Sequence, residues 1–194
     1  TDLTGHTPLH WAARYGGAAT VVVLLRHGAD LEARNRDGDT ALHLAVTHHD
    51  AGMVRQLLKA GAAVNTRNAR QQTPLHLAVF PMDNQEICGL LIDAGADKNA
   101  VDANHRIALQ DAVRGWGNCA PVLLEKGSDP NIGDRDGKTV LHHAVSRGDA
   151  AKGLVAWLLA HGADPNRPDR AGQSPLALAK QKSFDQLVAA MEKR

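Results

Sequence analysis

Leucine recurs along this chain at one fixed place, in a four-residue motif that begins with Thr or Ser and usually ends with His. Clear copies are Thr7–His10, Thr40–His43, Thr73–His76, Thr139–His142 and Ser174–Ala177, and Ile107–Gln110 is a degraded copy. Successive copies are 33, 33, 34, 32 and 35 residues apart. So regular a period predicts stacked units of supersecondary structure.

A second pattern runs in phase with the first, a Leu-Leu pair followed by a glycine. The pairs are Leu24-Leu25, Leu57-Leu58, Leu90-Leu91, Leu123-Leu124 and Leu158-Leu159, with Gly28, Gly61, Gly95, Gly127 and Gly162 behind them. Together the two patterns predict one unit of helix, turn, helix and extended loop. The motif Thr caps the first helix and Pro suits its first position. The glycine ends the second helix in the left-handed conformation.

These two markers resemble those of ankyrin-repeat proteins, over nearly all of the 194 residues. The resemblance implies an all-α fold, an ankyrin-repeat solenoid of stacked helix-turn-helix units with hairpin-like loops. The expected repeats are about residues 2–34, 35–67, 68–101, 102–133, 134–168 and 169–194, in a single domain over residues 1–194. We expect the last repeat to be a C-terminal cap, and a cap or a further repeat to precede the first.

Composition and charge restrict the classes of function that fit this sequence. Only 3% of the residues are aromatic against 43% hydrophobic, which predicts thin helical layers packed through Ala, Leu and Val. A formal net charge of +1 argues against a dedicated nucleic-acid binder. No apolar run approaches the ~20 residues of a membrane span, so no membrane insertion is expected.

Cys88 and Cys119 are the two cysteines. They fall in the second helices of adjacent repeats, whose packing separation of roughly 8–10 Å exceeds the ~7 Å limit on Cα separation for a disulfide. We therefore expect reduced thiols and a cytoplasmic or nuclear location.

Catalytic chemistry is not predicted. The histidines of the motif recur one repeat apart, too far to share a metal ion. The resemblance to ankyrin repeats implies that they bond loop backbone instead. Aspartates recur at the repeat tips as Asp2, Asp102, Asp134 and Asp169, where they suit turns better than acid–base work. The loop of residues 133–139 resembles a phosphate-binding loop but lacks its glycine spacing. We predict no enzyme activity, metal or cofactor.

Function is therefore expected to depend on surface complementarity with another protein. The resemblance to ankyrin domains implies that loop tips and the inner face of the first helices meet the partner in a concave groove. These positions vary while the framework repeats, and the candidates are Tyr15, Arg36, Arg70, Phe80, Met82, Arg106, Arg114, Trp116, Arg135 and Arg147. Aromatic residues and arginine often anchor interfaces.

A hot spot is predicted at Phe80, Met82, Arg106, Arg114 and Trp116, where the repeats are irregular. The alternative is that Trp116 and Met82 only fill gaps left by irregular loops. Trp11 and Trp157 lie in regular framework positions and are expected in the core.

The leading prediction is a non-enzymatic, monomeric interaction module that acts as scaffold, inhibitor or targeting subunit. The alternative is a substrate-recruiting domain that belongs to a larger enzyme or effector. The resemblance also suggests Asn65, Asn99, Asn131 and Asn166 as candidate sites of asparaginyl hydroxylation.

Overall fold

The computed structural model describes residues 1–79, 84–115 and 118–192, and these ranges contain helices and turns but no strand. This agrees with the all-α prediction. The chain divides into two compact units, Thr1–Asp97 and Lys98–Arg194. The boundary between them lies four residues before the expected end of the third repeat.

The first unit contains three helix pairs. Its helices are α1 (Pro8–Tyr15), α2 (Ala18–Arg26), α3 (Ala41–Thr47), α4 (Ala51–Lys59), α5 (Pro74–Ala78) and α6 (Gln85–Asp93). The first helices of successive repeats pack together, α1 on α3 and α3 on α5, and so do the second helices, α2 on α4 and α4 on α6. Each repeat thus buries its apolar side against the next.

The second unit repeats this arrangement. Its helices are α7 (Ala108–Gly115), α8 (Cys119–Glu125), α9 (Val140–Val145), α10 (Lys152–Ala160), α11 (Pro175–Gln181) and α12 (Asp185–Glu192). The extra residues of repeat five form a 3₁₀ turn, Asp149–Ala151, just before α10. α7 packs on α9, α9 on α11 and α10 on α12.

Leucines of the two sequence patterns fill the core. Among the described residues, the largest fully buried side chains are all Leu or Ile. They include Leu9, Leu42, Leu75, Leu109 and Leu141 from the first pattern and Leu57, Leu91, Leu123 and Leu158 from the second. The core is therefore built from aliphatic side chains, as the composition predicted.

The helix ends also follow the sequence. Thr7 caps α1 by accepting a hydrogen bond from the backbone N–H of His10, and Ser174 caps α11 in the same way through Ala177. The glycines behind the Leu-Leu pairs all have positive φ, between 80° and 93°. A residue with a Cβ is strained in that conformation, which explains why glycine recurs there.

The motif histidines have the structural role expected of them. Nδ1 of His43 accepts a hydrogen bond from the backbone N–H of Thr40 (3.2 Å), and Nε2 donates to the carbonyl of Gln72 in the next tip loop (3.2 Å). His10 and His142 make the equivalent bonds. Burial lowers the pKa of His10 and His43, which favours the neutral ring that this bonding requires.

Gln110 performs the same task in the degraded copy of the motif. Its Oε1 accepts from the backbone N–H of Ile107 (3.0 Å), while its Nε2 donates to the carbonyls of Ile132 (3.1 Å) and Lys138 (2.9 Å). An amide offers an acceptor and donors at about the same reach as a neutral imidazole. The sequence departs from the pattern here, but the hydrogen bonds do not.

Neither cysteine is a free thiol, so the expectation of reduced thiols is wrong. Cys88 in α6 and Cys119 in α8 are both disulfide-bonded. The separation of roughly 8–10 Å applies to helix axes, whereas the limit for a disulfide applies to Cα atoms. Cα atoms lie about 2.3 Å from the axis and can approach one another more closely than the axes do. The cysteines therefore give no support for a reducing compartment.

No helix within the described ranges is both long and apolar enough to cross a membrane.

Candidate partner-binding surface

All six tip loops are built on one turn. Each begins with Asp or Asn, whose side-chain oxygen accepts the backbone N–H groups two and four residues ahead. Asp134, for example, accepts from Asp136 (3.0 Å) and Lys138 (2.9 Å). The same pair of bonds occurs at Asp2, Asn35, Asn68, Asp102 and Asp169. The tip aspartates therefore hold turns, as the sequence predicted.

Neighbouring tips within a unit are also tied together by backbone hydrogen bonds. Arg36 N–H donates to the carbonyl of Thr4 (3.1 Å), and Ala69 N–H donates to that of Asp37 (2.8 Å). In the second unit Arg135 bonds to Asn104 and Arg170 to Asp136 in the same manner. Side chains on the tips thus project from a rigid backbone.

The two tips that lack glycine keep the left-handed turn. Gln71 has φ of 59° and His105 has φ of 58°, close to the 74° to 81° of Gly5, Gly38, Gly137 and Gly172. Close approach explains why glycine is needed at Gly38, since a Cβ there would lie 2.7 Å from the backbone nitrogen of Ala69. Gln71 and His105 instead hold a strained backbone conformation.

Three of the candidate arginines at the tips are exposed, namely Arg36, Arg70 and Arg135. Arg135 also donates from Nη2 to the carbonyl of Ala103 on the preceding tip (2.7 Å). This bond fixes the direction of one guanidinium group while leaving the side chain accessible.

Arg106 is held inside its own repeat. Its guanidinium group lies 3.3 Å from the Asp102 carboxylate and 3.1 Å from that of Asp111, and its side chain is 23% exposed. Although burial alone would raise it, the pKa of Asp102 is lowered because its carboxylate accepts N–H groups of Arg106 and Asn104 and lies beside the Arg106 charge. Much of the Arg106 charge is therefore neutralised internally.

Arg114 and Arg147 lie near the ends of first helices, as predicted, and both are exposed. Nη1 of Arg147 donates to the carbonyls of Val113 (2.9 Å) and Arg114 (3.3 Å) in the last turn of α7. These carbonyls lack partners within their helix, so Arg147 caps α7 across the repeat boundary.

Phe80, Met82 and Trp116 lie outside the described residues. The hot spot that combines them with Arg106 and Arg114 therefore stays a prediction, as does the alternative in which Trp116 and Met82 fill gaps.

Tyr15 belongs to a cluster of rings on the first unit that the sequence did not predict. Its ring is 68% exposed and stacks on Trp11, with centroids 5.7 Å apart and an interplanar angle of 18°. The Tyr15 ring also lies beside the His48 ring of the next repeat, with centroids 5.7 Å apart. We call Trp11, Tyr15 and His48 the aromatic patch.

The expectation that Trp11 lies in the core is wrong, since its side chain is 42% exposed. Its indole N–H donates to the carboxylate of Asp2 (3.2 Å), which turns the ring toward the tip loop. The equivalent positions in the other repeats are Leu44, Leu77, Asp111, His143 and Leu178, so residue type there gave a mixed signal. Trp157 is only partly buried and packs against His161 (4.7 Å).

A chain of hydrogen bonds links the first two tip loops to Trp11 of the aromatic patch. Asn35 uses its oxygen for the tip turn, so its Nδ2 donates to Nε2 of His6 (3.2 Å). His6 must then donate from Nδ1 to the hydroxyl of Thr4, which donates to Asp2 (2.7 Å). Hydrogen bonds from Thr4 and His6 and the nearby His6 ring lower the pKa of Asp2 to about 2, despite the opposing effect of desolvation. This carboxylate also fixes Trp11.

An Asp–His pair lies on the second unit. Nε2 of His143 is 3.0 Å from the Asp134 carboxylate. Burial and the nearby Arg114 lower the pKa of His143, against the opposing effect of Asp134. Within the described residues no group of three or more His, Cys, Asp or Glu side chains could hold a metal ion.

Comparisons with known proteins identify the family. The sequence model described as Ankyrin repeats (3 copies) matches residues 1–68, 49–134 and 109–191. The chain is similar to the crystal structure of the ankyrin repeat domain of Bcl-3, a member of the IkappaB protein family. The two are 31% identical, with a TM-score of 0.88 over 97% of this chain and 82% of that one.

Two further proteins are similar. An ankyrin repeat domain from Acinetobacter baumannii AYE is 26% identical, with a TM-score of 0.84 over 95% of both chains. The E3 ubiquitin-protein ligase KEG of Arabidopsis thaliana is 33% identical over 78 residues, which are 40% of this chain but 5% of the ligase. With family matches that cover most of its length, this chain belongs to the ankyrin-repeat family.

Proposed function

We propose that this protein is a non-enzymatic module that binds a protein partner through its loop tips and the inner face of its first helices. Ankyrin repeats generally mediate protein–protein interaction, which supports the class of function. The partner determines whether the module acts as a scaffold, an inhibitor or a targeting subunit.

The tip loops carry this proposal. Six copies of one turn, with the same side-chain hydrogen bonds, present different exposed residues at equivalent places, such as Leu3, Arg36, Ala69, Arg135 and Arg170. Rigid backbone lowers the entropy lost when a partner binds. Variation on a fixed framework is the pattern expected where recognition, and not packing, sets the residue type.

Charge supports a protein partner over nucleic acid. Residues 1–97 hold eight Lys and Arg against ten Asp and Glu, a net charge of −2, and residues 98–194 hold fourteen against eleven, a net charge of +3. Nucleic-acid binding would require a stronger positive surface. The opposite net charges of these two parts of the chain suit a partner whose own charge varies along its surface.

Affinity capture with matched variants tests the proposal. The bait is the whole chain, beside one variant with Arg36→Ser and Arg70→Ser on the tips and a control with Arg26→Ser and Lys59→Ser at the ends of second helices. Both variants lose two positive charges from exposed positions. Thermal melting checks that each remains folded.

We expect a protein to be captured by the native chain and the control and lost by the tip variant. Capture that survives in the tip variant but fails in the control would place recognition on the second helices and refute the proposed surface. Failure to capture any protein would refute the proposed function.

A second candidate is a substrate-recruiting segment of a larger enzyme. The similarity to a ubiquitin ligase favours it, although the chain spans only 5% of that ligase. The full-length coding sequence tests it directly, because this candidate requires a catalytic domain in the same polypeptide.

A further inference from the structure

The aromatic patch offers an unusual surface for a chain with so few rings. Trp11 and Tyr15 stack nearly parallel and are both exposed, while His48 of the next repeat borders Tyr15. The indole nitrogen is fixed by Asp2, so the patch is preorganised. Exposed, rigid aromatic side chains supply large contact areas at low entropic cost.

Arg14 adds a positive charge to this patch. Its guanidinium carbon lies 5.0 Å from the centre of the Tyr15 ring. Arg14 forms no hydrogen bond or ion pair with another described residue, and its Nε is buried without an acceptor. A guanidinium group without an internal partner is suited to a carboxylate supplied from outside, which its two terminal nitrogens can bind side by side.

Other charges near the patch do not compete for that carboxylate or for Arg14. Asp2 already accepts hydrogen bonds from Thr4, His6 and Trp11. Burial and the nearby Arg14 and His49 lower the pKa of His48, which favours the neutral form of its ring. Among the described residues at the patch, Arg14 is therefore the one cation without a hydrogen-bond or ion-pair partner.

We propose that the aromatic patch and Arg14 together bind a peptide segment in which an acidic residue lies next to an apolar or aromatic one. The apolar side chain covers the Trp11 and Tyr15 rings, and the carboxylate pairs with Arg14. This inference rests on the proposed function and specifies the partner's chemistry at one end of the chain. Stacked rings beside an arginine could also suit nucleic-acid bases and phosphates, but the net charge of −2 over residues 1–97 disfavours a polyanion.

A random peptide library displayed on phage provides the test. The whole protein is the target, and enriched 12-residue peptides are synthesised with a fluorescent label and titrated by fluorescence polarisation. Arg14→Gln and Tyr15→Ala remove the two contacts, while Arg26→Gln and Val23→Ala make matched changes at exposed positions of α2. Circular dichroism checks the fold of every variant, and labelled oligo(dT) serves as the nucleic-acid probe.

We expect enriched peptides to share an Asp or Glu within two residues of an apolar side chain. Their affinity should fall at least about tenfold, or about 1.4 kcal/mol, in Arg14→Gln, which removes the charged hydrogen bond, and in Tyr15→Ala, which removes the stacked ring. It should stay within about twofold in both controls.

Peptides without an acidic residue, or peptides whose affinity is unchanged by both patch variants, would overturn the inference. Binding lost instead with Arg36→Ser and Arg70→Ser would leave the proposed function standing while this inference falls. Arg14-dependent binding of oligo(dT) without peptide binding would assign the patch to nucleic acid. Failure of both the library and affinity capture would refute the two together.

Discussion

Replacement of His43 separates hydrogen bonding from simple burial in this fold. His43 is fully buried, and its ring bonds to the backbone N–H and hydroxyl of Thr40 and to the carbonyl of Gln72. His43→Ala would remove three hydrogen bonds of about 1 kcal/mol each and leave buried groups without partners. It would also leave a cavity, so we expect the free energy of unfolding to fall by about 3–5 kcal/mol.

His43→Gln should cost much less, about 1 kcal/mol. Gln110 shows that an amide at the equivalent position bonds to the N-cap N–H and to the carbonyl of the next tip loop. An amide oxygen has two lone pairs, so it can accept both the N–H and the hydroxyl of Thr40. The reverse replacement, Gln110→His, is the matched control and should be tolerated to a similar degree.

Urea unfolding followed by circular dichroism at 222 nm at pH 7.5 measures these differences. Equal m-values in all variants would show that the same unfolding transition is compared. The reasoning is refuted if His43→Gln destabilises the protein as much as His43→Ala, because packing of the ring and not its hydrogen bonds would then be decisive. A loss below about 1 kcal/mol for His43→Ala would show that the bonds contribute little.

Three other results are expected. Folding lowers the pKa values of His10, His43, His48 and His143 from 6.5, so their stabilising contribution is complete above about pH 6.5 and is lost as the pH falls through the folded pKa values. The melting temperature should therefore drop between pH 7 and 5, and it should drop less in His43→Gln. An unchanged melting temperature would contradict this. Gly38→Ala should lower the free energy of unfolding by more than about 2 kcal/mol because the new Cβ would meet the backbone of Ala69. Gly172→Ala has nothing within 4 Å of the new Cβ and should lose only about 1 kcal/mol for the left-handed conformation, so equal losses in urea unfolding would refute the steric argument. Gln71→Gly should raise the free energy of unfolding by up to about 1 kcal/mol by relieving its left-handed conformation, and a loss of stability in the same assay would show that no strain was present.

Local features of each repeat were readable in the sequence because the interacting residues lie close together in the chain. Thr7 and His10 form a capping box within one turn of helix, and Gly28 ends its helix through bonds to the preceding turn. The turn made by Asp134 likewise involves residues only two and four positions ahead. Recurrence at a constant period then predicted the stacked repeats, and the resemblance to ankyrin repeats implied the structural role of the histidines.

The surface depended on contacts between repeats, which no local pattern encodes. Arg147 bonds to a carbonyl 34 residues away, and Asn35 reaches His6 across 29 residues. Arg106 is drawn to Asp111 in its own repeat, although its tip position predicted an exposed side chain.

The sequence by itself determined the repeat, its helix ends, its turns and its aliphatic core, since each of these follows from residues within one unit. Only the tertiary structure decided that Trp11 lies beside Tyr15 and His48 at the surface, with Arg14 at hand. The physical reason is that stacking sets which faces of a repeat are covered, and a side chain that occupies a regular framework position is buried only where a neighbour supplies the atoms that cover it.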